Sequence, residues 1–271
     1  MISGTASTGG NNLLAALPLR ERENLQQHGE QVPLTPDEIL GEPGERIRHV
    51  YFPADGFIAL VAEVDGHDAL ALGLVGSEGM LGAPLVLGSH TSPLRTRVLA
   101  AGSALRLRAT EFLQAVAVAP GFERLLRRYL GVRLEQFALT AACASFHVVE
   151  ARLACWLLMA QDRSRGDRFY LTHERLARLL GVRRSGVSTA ACVLQGRRLI
   201  RYTRGHVLIL DRPGLEAAAC GCYRTVKNTV SASAAAPILR DELPGTDGAL
   251  PLAAQPPAVS SPGEWVAPHR H

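Results

Sequence analysis

The sequence predicts an α+β protein in three parts: an antiparallel barrel or sandwich of short strands, a long helix, and a C-terminal winged helix-turn-helix. Three observations predict it. Residues 171–204, LTHERLARLLGVRRSGVSTAACVLQGRRLIRYTR, read as two short helices about a glycine, leading into a β-wing. Between residues 49 and 108, short runs of branched and aromatic residues alternate with glycine turns, the spacing of an antiparallel barrel or sandwich. From Phe122 to about His147 runs one unbroken helical pattern.

The boundaries follow from composition. Residues 1–18 are expected to be a flexible N-terminus, since residues 1–12 are rich in Gly, Ser, Thr and Asn. A short helix is expected from Leu13 to Gln27. Residues 19–119 hold the strand-rich domain. Its strand candidates are His49–Phe52, Phe57–Val64, Ala69–Val75, Arg95–Ala100 and Ala104–Arg108. Glu42-Pro43-Gly44-Glu45 and Gly76-Ser77-Glu78-Gly79 are turn material. Asp55-Gly56 and Asp65-Gly66 stand at hairpin positions, and the last two strands form a pair around Gly102. Thr110 is placed to cap a helix that ends before Pro120-Gly121.

Residues 120–147 form the long helix. Leu126, Tyr129, Arg133, Gln136, Thr140 and Cys143 mark a seam at spacing 3 and 4, which suits pairing with a second copy. The competing reading lays that seam on the barrel of the same chain. Residues 148–226 hold the helix-turn-helix, entered through a core helix from Val148 to Gln161 and followed by a helix from Pro213 to about Cys220. Residues 227–271, rich in Ala, Pro, Ser and Gly, are expected to be disordered.

Charge locates the partner. The net charge is only +4, but eight arginines between Arg175 and Arg204 face Glu174 alone. Thr172 caps the first helix, whose Leu176, Leu179 and Leu180 face inward, and Gly181 closes it. The second helix turns Val187, Ala190, Ala191 and Leu194 inward. Its opening carries Arg183, Arg184, Ser185, Ser188 and Thr189, a set that suits base edges and phosphates in a DNA major groove. Arg201 and Arg204 lie in the wing, where phosphate is the expected target. An ordinary helical hairpin with a solvated basic face is the plainer alternative.

Other chemistries find little support. There is no Gly-rich phosphate loop, GxSxG or HExxH motif, so an enzyme is not expected. No apolar run approaches the roughly 20 residues of a membrane span, and the N-terminus lacks a charged and apolar leader. Five cysteines, an odd number, suggest free thiols and a cytoplasmic chain. Cys143 and His147, one helical turn apart, offer two metal ligands with no third in view, so Cys143 is read as core. Cys220-Gly221-Cys222 reads as a thiol sensor or half a metal site lacking its second pair. No metal and no cofactor are expected.

The order of these parts resembles the Crp/Fnr family of bacterial transcription regulators, of the cyclic-AMP receptor type, over about residues 19–212. The most specific segment, LTHERLARLLGVRRSGVSTAACVLQGRRLI, aligns without gaps to that family's DNA-reading motif. The resemblance implies a β-roll or jelly-roll effector domain like those that bind cyclic nucleotides. It also implies a homodimer on an inverted-repeat promoter site, RNA polymerase as a partner and a small-molecule effector. Arg184, Ser185 and Thr189 fall where the family contacts bases, and Arg183 at the cap of the second helix. The family often has Glu where Ser185 stands and Arg where Thr189 stands, so a different site should be read. Gly56 and Gly82 match family glycines. Arg95 and Thr96 fall at the cyclic-phosphate arginine and its hydroxyl neighbour. Ala83 replaces the ribose glutamate, with Glu78 four residues before Gly82, so the nucleotide pocket is degenerate and cyclic AMP is not the expected effector. A sensor module whose helix-turn-helix contacts protein rather than DNA is the alternative function.

Overall fold

The computed structural model describes residues 10–63, 70–164 and 166–235. Two short helices open it, α1 (Asn12–Ala15) and α2 (Leu19–His28). The single helix expected over 13–27 is split because Pro18 stands extended before α2. The segment expected to be flexible is anchored in its described part. Asn11 is buried, its amide donating to the carbonyls of Pro53 and Gly79, and Leu13, Leu14 and Leu17 join the core.

Seven strands follow: β1 (Glu30–Leu34), β2 (Ile39–Gly41), β3 (His49–Pro53), β4 (Phe57–Val61), β5 (Ala71–Val75), β6 (Arg95–Ala100) and β7 (Gly102–Arg108). They form two antiparallel sheets, ordered β1-β7-β3 and β2-β6-β4-β5. Strands β3 to β7 lie close to where the sequence puts them and β1 and β2 were not anticipated, while two of the expected pairings do not form. β3 does not pair with β4 across Asp55-Gly56, and β6 does not pair with β7 across Gly102. At both points the chain leaves one sheet and enters the other. The two crossings meet at one corner. Ala54 N donates to Ser103 O at 2.8 Å, and the Asp55 carboxylate accepts from Ser103 N and Oγ. A side chain on Gly102 would run into the Asp55 backbone. Asp65-Gly66 lies outside the described residues, although β4 and β5 do pair antiparallel.

Alternation distributes the side chains over both faces of each sheet. Ile58, Val75 and Val98 meet Tyr51, Leu34 and Ala104 between the sheets. Val50, Phe52, Leu105 and Leu107 face outward under α2, α3 (Ala109–Val118) and the start of α4 (Pro120–Phe146). Phe57, Ala59, Ala71 and Leu74 face the C-terminal domain. Helix α3 begins one residue before Thr110, and the Glu111 carboxylate, not Thr110, serves its first turn by accepting from Arg108 N. Pro120 then opens α4.

The seam anticipated on α4 exists, but it is covered by the chain's own β-roll. Leu126 is fully buried, Tyr129 Oη donates to Met80 O, Arg133 donates to Leu74 O and Thr140 to Leu72 O. The α4 side chains lie so close to the sheet that a Cβ on Gly73 would press on those of Arg133 and Gln136. A second seam, Arg127, Gly131, Leu134, Ala138, Ala141 and Ser145, has spacing 4-3-4-3-4 and is exposed throughout.

The C-terminal domain comprises α5 (Val149–Gln161), β8 (Arg168–Tyr170), α6 (His173–Leu180), α7 (Arg184–Gly196), β9 (Ile200–Thr203), β10 (His206–Ile209) and α8 (Arg212–Ala218). Strand β8 was not anticipated; it completes a sheet ordered β8-β10-β9. Helix α9 (Gly221–Ala235) replaces the disorder expected from residue 227, as far as the described residues reach. It packs along α4, with Tyr223 and Val226 buried and Thr229 donating to Glu135. The rest of the expected tail lies outside the described residues.

Forcing a methyl group into the sheet-crossing corner overpacks rigid backbone. Gly102→Ala is therefore expected to destabilise the chain by about 1–3 kcal/mol, read as a lower denaturation midpoint with an unchanged slope.

Candidate nucleic-acid interface

The helix-turn-helix is built as its sequence dictates. Thr172 Oγ1 accepts from Arg175 N at 3.2 Å, capping α6. Gly181 adopts φ 61°, which lets Val182 N return to Ala177 O. Leu176, Leu179 and Leu180 of α6 are buried against Val187, Ala190, Ala191 and Leu194 of α7. Arg183 occupies the cap of α7 with extended backbone and no side-chain hydrogen bond to the helix. The first N–H groups of α7 therefore lack a side-chain acceptor, the arrangement that takes a phosphate oxygen at a helix N-terminus.

Arg183, Arg184, Ser185 and Thr189 are exposed around that end. Ser188 is not equally free. It is half-buried, within 3.0 Å of His173 Nδ1, and its hydroxyl donates to Arg184 O. Sequence reasoning passed over Cys192, which is exposed three residues beyond Thr189 and seven beyond Ser185 on the same helix face. Helical periodicity alone would have found it.

The wing turns at Arg204-Gly205, both with positive φ (49° and 85°), which sends β10 straight back along β9. Arg201 and Arg204 project from it, exposed. The arginines of the domain divide by partner. Arg175 pairs with Asp37 of the β-roll, Arg178 with Glu174, and Arg197 with Glu150. Among the described residues, Arg183, Arg184, Arg198, Arg201 and Arg204 have no carboxylate partner. Four of these cations, Arg183 and Arg184 at the head of α7 and Arg201 and Arg204 on the wing, thus lie free on the surface that these elements form, while Arg198 follows the far end of α7.

In the β-roll, the residues proposed as an effector site part company. Gly82, Ala83 and Thr96 line a cavity of about 640 Å³, within the range of small-molecule sites. Arg95 does not. It faces the other side of β6, where Glu42 and Glu63 hold its guanidinium. Adjacent strand residues face opposite ways, so Thr96 inward means Arg95 outward. Glu78 is also outside, paired with Arg163 at 2.7 Å. The cavity's cations are instead Arg46, Arg48 and, from α4, Arg133.

The cysteines also regroup. Cys143 and His147 at the end of α4 meet Cys220 and Cys222 at the start of α9, a third and a fourth donor that 72 intervening residues conceal in the sequence. Cys143 Sγ and Cys220 Sγ share a hydrogen bond at 3.5 Å, which lowers the pKa of Cys220 and raises that of Cys143.

The architecture is thus a β-roll, a long helix and a winged helix-turn-helix with a basic head. Residues 151–218 match the Crp-like helix-turn-helix domain family. Solved structures share the wider architecture. The c-di-GMP responsive global regulator CLP of Xanthomonas campestris is 18% identical, with 71% of this chain and 99% of that one covered and a TM-score of 0.57. A Crp/Fnr family transcriptional regulator from Eubacterium rectale is 14% identical, covering 76% and 96%, TM-score 0.60. FixK2 from Bradyrhizobium japonicum is 13% identical, covering 71% and 98%, TM-score 0.59. No curated protein matches the chain by sequence. The chain therefore has the Crp/Fnr-type fold and carries a Crp-like helix-turn-helix domain.

Burial, and next the Arg184 guanidinium, hold the His173 imidazole below its ordinary value of 6.5. A base with a depressed folded pKa stabilises the fold fully above its unfolded pKa, and that stability is lost as pH falls below it. Thermal melts of the free protein from about pH 8 to about pH 5 should show falling stability below about 6.5, and His173→Gln should flatten that decline.

Proposed function

We propose that the chain is a sequence-specific DNA-binding transcription regulator, acting as a homodimer on an inverted-repeat promoter site. The observation that carries this reading is the exposed head of α7, where Arg183, Arg184, Ser185 and Thr189 surround an uncapped helix N-terminus beside a wing bearing Arg201 and Arg204. Arg184, Ser185 and Thr189 read base edges, with Ser188 in support through His173. Arg183, Arg201 and Arg204 bind phosphate. Binding to promoter DNA places the protein in the cytoplasm, in keeping with its free thiols, and makes RNA polymerase its partner. It is not an enzyme on this reading.

The dimer forms through the second seam of α4. Leu134 is 67% exposed there, and Gly131, Ala138 and Ala141 let two helices approach closely. Leu126 and Phe137, by contrast, pack within the chain. The effector occupies the 640 Å³ cavity, touching Gly82, Ala83 and Thr96. Cyclic AMP in the family's pose finds neither a ribose carboxylate at Ala83 nor a free guanidinium at Arg95. An effector with an apolar body and an anionic group facing Arg133 suits the lining better.

Two measurements test these assignments. Arg184→Ala should cost about 1–3 kcal/mol on the specific site and relax preference at one base pair per half-site. Arg204→Ala should weaken specific and scrambled DNA alike and reduce the salt slope by about one unit per half-site. Equal losses on both DNAs for Arg184→Ala would make it a phosphate contact. In sedimentation, Leu134→Glu should give a folded monomer, whereas Leu126→Glu should lose the fold, because a charge buried without a partner costs several kcal/mol.

A further inference from the structure

The end of α4 and the start of α9 bring four soft donors to one point. Cys143 and His147 are one turn apart on α4, and Cys220 and Cys222 flank Gly221. The Sγ atoms of Cys143 and Cys220 are 3.5 Å apart, and Cys222 Sγ is 3.6 Å from His147 Nδ1. All four donor atoms lie within 4.8 Å of one another. A tetrahedral ion with S ligands at about 2.3 Å and N at about 2.0–2.1 Å requires separations of about 3.8 Å between sulfurs and about 3.6 Å between S and N. We propose that Cys143, His147, Cys220 and Cys222 form a Cys3His site for a tetrahedral, thiophilic divalent ion of the zinc type.

Several features of the surroundings fit a cation held by thiolates. Cys220 stands immediately before α9, so its sulfur lies at a helix N-terminus, a setting that favours a thiolate. The opposite wall is the C-terminal end of α4, which favours positive charge. Cys143 and Cys220 are buried, Cys222 is half-buried and His147 is exposed, so the site has an apolar floor and an entry from solvent. Binding would leave all three sulfurs as thiolates, with any thiol protons still present passing to water. A disulfide between Cys143 and Cys220 would account for two of the donors but not for Cys222 facing the His147 ring. Four protein ligands leave no open position, so the site is structural rather than catalytic. It fastens the end of α4 to the start of α9 at the joint, Phe146–Val148, from which the chain enters α5. The inference is independent of the DNA-binding reading.

The test uses the full chain, reduced and handled without oxygen. After incubation with Zn2+ and dialysis, elemental analysis should find one zinc per chain. Co2+ in its place should give the intense ligand-field bands of a tetrahedral ion and a thiolate charge-transfer band. His147→Ala and Cys222→Ser alter the exposed and half-buried ligands, so the fold should persist, and each should lower metal affinity at least about tenfold. Both should also abolish the rise in melting temperature that Zn2+ gives the wild type. Cys192→Ser, away from the site, should behave as wild type. Substoichiometric zinc, cobalt spectra of an octahedral ion without thiolate charge transfer, or undiminished affinity in both variants would overturn the proposal. So would a reduced chain that binds neither metal and on oxidation forms only a Cys143–Cys220 disulfide.

Discussion

Arg133 is the residue on which the arrangement of the molecule turns. It is buried on the face of α4 that meets the β-roll, with no carboxylate beside it among the described residues. Its Nη1 donates to the Leu74 carbonyl at 2.8 Å and the Gln136 amide oxygen at 2.6 Å, its Nη2 is buried without a hydrogen-bond partner, and the Tyr129 and Phe137 rings lie nearby. A buried cation is costly to leave unmet, so these contacts admit few alternative seatings of the helix. Gly73 removes the side chain that would hold the helix off the sheet. With α4 seated in this way, its opposite seam faces outward, its C-terminal end stands against α9, and the chain leaves it through Val148 into α5.

The same helix is a wall of the cavity. Tyr129, Leu130, Arg133, Leu134 and Phe137 all line it. A molecule filling that space would touch the residues that seat α4 as well as Leu134 of the exposed seam. Beyond the joint, Arg163 at the end of α5 pairs with Glu78, and Arg175 of α6 with Asp37, so two ion pairs tie the C-terminal domain to the β-roll. Any change in how α4 sits must also be accommodated by these pairs. The geometry thus connects the cavity to the helix-turn-helix through one helix and two ion pairs, of which Arg163–Glu78 is largely buried.

What could be read from the sequence follows the range of each signal. The helix-turn-helix was legible nearly to the residue, because Thr172, the leucines of α6, Gly181 and the small residues of α7 act within a few positions of one another. The strands were legible as strands, but their pairing was not. Asp55-Gly56 and Gly102 look like hairpin turns locally, and only the contact between the two crossings, 48 residues apart, reveals a change of sheet. The seam on α4 was found, yet periodicity cannot say which partner covers it. Arg133 and Gln136 within that seam were the available hint, since polar groups that reach sheet carbonyls fit the chain's own β-roll better than a second helix. Arg95 was misplaced because a family position was carried over without the alternation that sends Thr96 inward. The cysteine site was invisible because its halves lie on two helices joined only by the fold.

The central claim is that two copies of α7, set apart by the α4 dyad, read one inverted repeat. Hydroxyl-radical footprinting of the full protein on the DNA upstream of its own gene tests it most directly. The account predicts two protected segments whose centres are about 34 Å apart, one helical turn, on the same face of the duplex. A single protected half-site at saturating protein, or continuous protection that ignores sequence, would contradict it.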